Sequence, residues 1–297
     1  MSNLEHADAV TRMQEYIEQH LEEDITLHAL GGAGGYSPWY CAKIFKEYTG
    51  KSPFEYIRGL RLSKAALLLR DEKRRVIDVA FDFVFSSHEG FTRAFQKSFG
   101  VTPKAYQMDS PPIQLFNPYP VRSYYMMQQD NSNLPPLSNH FEVRLMNFPA
   151  RRMLLLRGKK ADNYFDYCGE TSCDVWGMLV SVKEALYEPV GMWLPDALRP
   201  VGTSYYAQGV EVPANYSGIV PEGYDLIDLE PCTMMMFQGE PFEEDRFDEA
   251  IIGLAEKINQ YDPAVLGYQW VDDEAPRIQL EPQGYRGYME ARPVKPL

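Results

Sequence analysis

Histidine is scarce in this 297-residue chain, with five in all, at positions 6, 20, 28, 88 and 140. Beyond residue 140 the chain therefore has no imidazole for a Ser-His-Asp triad or a His-ligated metal. Cysteine is equally sparse. Cys41, Cys168, Cys173 and Cys232 form no CxxC pair and no dense framework, and neither Cys168 nor Cys173 has a Cys or His partner at metal-ligand spacing. The expectation is plain thiols, no disulfide scaffold and no metal. A Gly-rich phosphate loop is missing. So is any run of about 18 apolar residues, and "MSNLEHADAVTRMQEY" has no basic segment leading into an apolar one. These absences point to a soluble cytoplasmic protein with no membrane partner, no cofactor and no catalytic residues.

Charge is present but unevenly placed. The formal net charge is −13, which taken alone argues against a nucleic-acid partner. Residues 1–36 carry net −6, residues 37–104 net +6, and residues 111–297 net −12. The only basic block is short and lies in the first half.

Prolines at 111, 112, 118, 120, 135 and 136 remove backbone donors and block helix interiors, so 108–139 reads as a Pro-rich linker. It holds at most one extended apolar piece, at "IQLF" or "VRSYYMM". It separates a helical domain over 1–107 from a mixed domain over 140–297.

In the first domain, Val10, Met13, Ile17 and Leu21 recur at helical steps. Thr26 caps a short helix over Leu27 and Leu30, and Ser37-Pro38 opens another that ends at Gly50. A long helix runs from Pro53 to about Arg70. The pattern then repeats. Phe45/Phe95, Gly50/Gly100, Pro53/Pro103 and Tyr56/Tyr106 coincide at an offset of 50, so F-x4-G-x2-P-x2-Y is written twice. Each copy follows a short helix, a turn and a longer helix, which makes two helix-turn-helix units. Off the apolar side of the first longer helix lie Trp39, Tyr40, Ala42, Lys43 and Lys46. Off the second lie His88, Glu89, Thr92, Arg93 and Gln96. These side chains suit phosphates and base edges of double-stranded promoter DNA.

On "ITLHAL…GYSPWYCAKIFKEYTGKSPFEYIRGLRLSKAALLL" and "VIDVAFDFVFSSHEGFTRAFQKSFGVTPKAY", residues 7–107 resemble the DNA-binding domain of the AraC/XylS family of bacterial transcription regulators. The resemblance puts base-reading roles on Trp39, Ala42 and Lys43, and on His88, Glu89, Thr92 and Arg93. It also implies RNA polymerase as a partner. Gly31 stands where the family usually has Ala, at a cost of about 1 kcal/mol inside a helix. Val84 stands where a turn Gly is common, so the turn either avoids positive φ or is strained.

The second half carries another repeat. "FPARRMLLLRG" and "EPCTMMMFQGE" each place a Pro before an apolar strand that ends at Gly158 or Gly239. Helices follow on Val175, Leu179, Val182 and Leu186, and on Phe247, Ile251, Leu254 and Ile258. The further strands "VGTSYYAQGVEV" and "LGYQWV" complete two β-α-β units. The expected fold is multidomain: an all-α double helix-turn-helix domain, then an α+β domain with an antiparallel sheet. "VEVP", "GYMEARPVK" and the duplication make residues 140–295 similar to the GyrI-like small-molecule-binding domain. That resemblance implies a lipophilic aromatic effector, cationic in many of its members, held by aromatic walls and a buried Glu. Tyr164, Trp176, Tyr205, Tyr206, Trp270 and Tyr288 offer the walls. Glu290 matches the last-strand Glu, as an exposed strand acid or a pocket acid, and the other acid falls on Gln279 or Glu281. A carboxylate hydrolase and a protein-docking module built on "EPFEEDRFDEA" are the competing readings.

Overall fold

The computed structural model describes residues 3–119, 121–122, 140–171, 174–243 and 246–297. The chain divides into two compact units, Met1–Asn131 and Ser132–Leu297.

Seven helices build the described part of the first unit: α1 (Asn3–Gln19), α2 (Leu27–Gly34), α3 (Pro38–Thr49), α4 (Pro53–Asp71), α5 (Val76–Asp82), α6 (His88–Phe99) and α7 (Pro103–Asp109). Their ends follow from local chemistry. Ser37, Ser52, Ser87 and Thr102 each accept a backbone N–H of the helix they open. At α4, Glu55 reaches back to Ser52 and completes a capping box. Gly50 and Gly100 end α3 and α6 at φ 71° and 74°, the left-handed cap that glycine adopts without a Cβ clash. Beyond each glycine, a Pro-started helix buries Tyr56 or Tyr106 against Phe45 or Phe95, with ring centroids 5.0 and 5.7 Å apart. The repeated signature is thus a helix stop, a cap and an aromatic lock.

Val84 adopts φ 61°. The turn between α5 and α6 therefore keeps the left-handed geometry that glycine would fill, with a β-branched residue in it. Gly31 has a packing reason instead: a Cβ there would meet the Tyr36 carbonyl at 3.1 Å and the Pro38 ring at 3.2 Å.

Part of the expected linker is fastened to this unit. Ile113, Leu115 and Val121 are buried. The Phe116 N–H donates to Ser63 Oγ at 2.7 Å, and the Phe116 ring fills the slot left by Gly59, where a Cβ would meet it at 2.8 Å. The Gln14 amide donates to the Tyr119 carbonyl and accepts from the Val121 N–H. Of the two extended pieces expected there, "IQLF" lies in this strap; of "VRSYYMM" only Val121 and Arg122 are described, and they are helical rather than extended, while the rest lies outside the described residues.

In the second unit all strand pairs are antiparallel, in the order β1-β6-β9-β8-β3-β4-β2-β5, with β7 on β9. The strands are β1 (Phe141–Phe148), β2 (Arg151–Arg157), β3 (Val190–Trp193), β4 (Tyr206–Pro213), β5 (Asp225–Leu229), β6 (Cys232–Gly239), β7 (Tyr268–Trp270), β8 (Arg277–Leu280) and β9 (Met289–Pro296). Among the described residues the α-helices between them are α8 (Tyr164–Thr171), α9 (Val175–Val180) and α10 (Phe247–Gln260). The run β6-β9-β8 mirrors β2-β4-β3, so the duplication axis passes between β3 and β8. Leu154, Tyr206 and Val210 pack under α8 and α9, whereas Met235, Phe237 and Tyr288 pack under α10. The opposite face carries its own apolar cluster of Met153, Leu155, Met192, Met234, Met236 and Ile278.

Three expectations need correction. Across the axis the counterpart of "VGTSYYAQGVEV" (β4) is β9, whereas "LGYQWV" forms β7, a short strand paired to β9 outside the repeat. The helix on Val175 stops at Val180, because Ser181 turns its hydroxyl and N–H onto the Met178 carbonyl. Val182 is still buried, but Leu186 is exposed and its N–H pairs with the Glu211 carbonyl. Helix α8 was missing from the sequence reading, since its one buried side chain, Tyr167, shows no period.

Replacing Val84 by Gly should raise stability by about 1 kcal/mol, because a left-handed L-residue costs about 1–2 kcal/mol. Gly31→Ala should bring no gain. Urea denaturation followed by circular dichroism checks both, and a loss in Val84→Gly would show that its side-chain contacts outweigh the strain.

Candidate functional site

Two regions of the structure gather the candidate residues. In the first unit, Trp39 stands 82% exposed on α3, with Lys43 and Lys46 exposed along the same helix and Ala42 half-buried between them. Tyr40 is tied down: its hydroxyl pairs with His6 Nε2 at 3.0 Å, and its ring meets Tyr36 edge-on at 5.3 Å. On α6, His88, Glu89, Arg93 and Gln96 are exposed and Thr92 is half-buried. Thr92 Oγ1 is enclosed without a hydrogen-bond partner. Among the described residues, Lys43, Lys46 and Arg93 make no ion pair. Nearby, Arg70, Arg74 and Arg75 are spent on Asp71, Asp82 and Asp78. The positive charge left without an ion pair therefore includes that on α3 and α6, exposed where a polyanion could use it.

In the second unit the sheet brings together Tyr206, Tyr288 and Glu290, and adds the side chains of Gln279, Trp193 and Arg277. Register pairs Gln279 with Glu290, Gly191 with Gln279, and Trp193 with both Arg277 and Tyr206. All of these side chains lie on the helix-covered face. The duplication relates Tyr206 to Tyr288 and Gln208 to Glu290 across the β3/β8 axis. Both tyrosines and Glu290 are fully buried.

The centre of this cluster is ionic. Glu290 Oε1 accepts from Arg277 Nε, and Oε2 accepts from the Tyr288 hydroxyl at 3.2 Å. The Arg277 guanidinium lies over the Trp193 ring, 4.8 Å from its centroid. Burial pushes the Glu290 carboxyl above the usual carboxylate range despite the guanidinium beside it. Burial also lowers Arg277, but the Glu290 carboxylate outweighs it and leaves Arg277 above its ordinary value. The net effect on the carboxylate is that removal from water costs more than the pair returns. Burial likewise raises both tyrosines well above the ordinary phenol. The Tyr206 hydroxyl lies near the Gln208 side chain without hydrogen-bond geometry to it.

The remaining candidates are peripheral. Tyr164 packs against the core under α8, and Trp176 is half-buried on α9. Trp270 joins the core under α10 and carries Arg292 over its face at 4.3 Å. Tyr205 is exposed, and so is Glu281, which accepts from Gln283 at 3.3 Å. A cavity of about 430 Å³ lies along α10, lined by His140, Glu240, Glu249, Glu256 and Lys257, and shares only Tyr288 with the buried cluster. Among the described residues no group of three metal-ligating side chains occurs, and no helix is long and apolar enough to cross a membrane.

Arg277 escaped the sequence reading. Its signal was the alternation in "RIQL", which puts it on the face of Gln279, but nothing in the sequence alone makes it the partner of Glu290.

Comparison with known proteins places the first unit. A helix-turn-helix domain family matches residues 31–109. The chain is 35% identical over 120 residues to the transcriptional regulator Rob of Salmonella typhimurium, covering 38% of this chain and 42% of that one. It is 32% identical over 104 residues to the regulatory protein SoxS of the same organism, covering 35% of this chain and 97% of SoxS. The match thus spans less than half of Rob and nearly all of SoxS. A solved protein bound to tetraphenylphosphonium is 16% identical with TM-score 0.38, over 52% of this chain and 94% of that one.

Removing Arg277 should hurt more than removing the charge of Glu290. Arg277→Ala strands a buried carboxylate, at about 3–5 kcal/mol, whereas Glu290→Gln leaves an arginine whose side chain is 21% exposed and able to turn to water. The pH dependence has a sign as well. A carboxyl raised in the folded state binds its proton more tightly there, so ionisation weakens folding as pH rises from the ordinary carboxylate range through the raised pKa. Denaturation curves should show the stability of Glu290→Gln gaining on the parent protein across that window. A flat difference would mean that the pair fully offsets burial.

Proposed function

Because the chain belongs to the AraC family of helix-turn-helix transcription regulators, we propose that it binds promoter DNA through α3 and α6 and that its second unit answers to a small aromatic effector. The observation that carries the first part is the pair of exposed helices whose Lys43, Lys46 and Arg93 make no ion pair among the described residues. Arg93 and Glu89 read base edges, Lys43 and Lys46 hold phosphates, and Trp39 packs on the sugar-phosphate or a thymine methyl. Ala42 gives apolar contact only, so α3 contributes affinity more than discrimination. Tyr40 serves by bracing α3 against α1.

The effector part rests on the buried cluster of Tyr206, Tyr288, Gln279 and Glu290, convergent polar groups of the kind that fix a ligand's orientation. We place the effector-binding domain at 140–297, the DNA-binding domain at 1–107, and the strap at 110–122 with the latter. Effector binding changes DNA affinity, or the contact with RNA polymerase, by no more than its differential affinity for the two states. The hydrolase reading would need a free carboxylate, and Glu290 is engaged by both Arg277 and Tyr288.

Fluorescence anisotropy on a DNA site selected from a random library tests the DNA reading. Binding should weaken steeply with salt. Arg93→Ala should cost about 1–3 kcal/mol on the selected site and flatten preference at one base pair, whereas Lys46→Ala should weaken all sequences alike and lower the salt slope by about 1. Unchanged preference in Arg93→Ala would remove α6 from base reading.

A further inference from the structure

We infer that Arg277 sets the ligand class of the second unit: its guanidinium fills the place between Trp193 and Glu290 that an aromatic cation would take, so the site accepts uncharged aromatic molecules bearing a hydrogen-bond acceptor and refuses cations. This rests on the reading that the unit binds an aromatic effector, and names what that effector is.

Three observations support it. The first is geometric. A carboxylate facing an aromatic ring is the arrangement that recognises an organic cation, and here that place is occupied from within, with the guanidinium 4.8 Å from the Trp193 centroid and on Glu290 Oε1. The second is charge. Across the β3/β8 axis the position equivalent to Glu290 is Gln208, so the cluster holds one carboxylate, and Arg277 already neutralises it. An entering cation would have to displace a guanidinium that is fastened by ion pair and ring together.

The third is the set of unfilled polar groups. Among the described residues Arg277 uses only Nε on the protein, which leaves both terminal nitrogens as donors. The Tyr206 hydroxyl is buried without a partner. Gly191 holds it close to Gln279, because a Cβ there would lie 2.1 Å from the hydroxyl and 2.8 Å from Gln279 Cγ. Arg277 and Tyr206 flank Trp193 on the two neighbouring strands, and both offer donors. An acceptor on an aromatic ligand satisfies them, and a quaternary cation, which has no acceptor and no donor, satisfies neither.

The test uses two ligands with the same three phenyl rings, methyltriphenylphosphonium and triphenylphosphine oxide, titrated calorimetrically into the full chain. The parent protein should bind the oxide at least about tenfold more tightly than the phosphonium. Arg277→Gln should invert that order by freeing Glu290, and Arg277→Gln/Glu290→Gln should lose the gain in phosphonium binding. Equal binding of the two ligands by the parent protein overturns the role of Arg277 while leaving an effector site in place, and so does an unchanged ratio in Arg277→Gln. If neither ligand binds any of the three proteins, the acceptor-selective site and the aromatic-effector reading fall together, and the anisotropy experiment on DNA stands apart from both. Should Arg277→Gln not fold, the ratio in the parent protein alone decides.

Discussion

Two β-α-β repeats become one sheet through four antiparallel residue pairs between β3 and β8, from Val190↔Leu280 to Trp193↔Arg277. Each repeat alone would leave a row of unpaired backbone groups at that edge, open to pairing with another chain. Joining the edges satisfies those groups and closes the sheet across its middle. It also fixes which side chains meet at the axis. A slip of one residue would turn Arg277, Gln279, Gly191 and Trp193 to the opposite face, into the methionine-rich cluster of Met153, Met192 and Met234. The register that completes the sheet therefore also assembles the polar centre.

That centre shows how a duplicated structure acquires a specific site. Symmetry places two buried tyrosines, Tyr206 and Tyr288, and two polar neighbours, Gln208 and Glu290, around the axis. Identical halves would make the two sides equivalent. The difference between amide and carboxylate breaks this, and once Glu290 is charged it must have a partner, since an unpaired buried carboxylate is costly. Arg277 meets that need from the adjacent strand and takes Trp193 as its other face. The Tyr288 hydroxyl adds a hydrogen bond that holds the second carboxylate oxygen. The ionic bond thus follows from burial, and the selectivity proposed for the site follows from the ionic bond.

How far the sequence revealed this depends on the range of the signals. The first unit was legible almost residue by residue, because its determinants are local: Ser37 and Ser52 caps, Gly50 and Gly100 stops, and Phe-Tyr locks within about a dozen residues. The strands at Met153 and Met234 and the helix on Phe247 were legible for the same reason. Leu186 misled because its spacing from Val182 continued a helical period across Ser181, whose hydroxyl competes for the Met178 carbonyl. The packing of Phe116 into the Gly59 slot was hidden, since prolines mark where a helix ends but not what an extended chain lies against. Glu290 was visible as an acid in the last strand, with its burial unresolved. Its partner was not visible, because pairing β8 with β9 is a fact of topology that no spacing encodes.

Charge is segregated along the chain. The block 37–104 is net +6 and the stretch 111–297 net −12, so the whole chain should be repelled by DNA if charges summed without regard to distance. They do not. At physiological ionic strength, exposed charges are screened beyond about 8 Å, so a phosphate beside Lys43 or Arg93 responds to those cations and little to carboxylates further away. Binding remains governed by the local patch. The acidic remainder acts instead on states in which it is driven toward the polyanion, and disfavours non-specific adsorption of the second unit to nucleic acid. The chain's negative total is then compatible with DNA recognition, because attraction depends on the local cations and not on the sum.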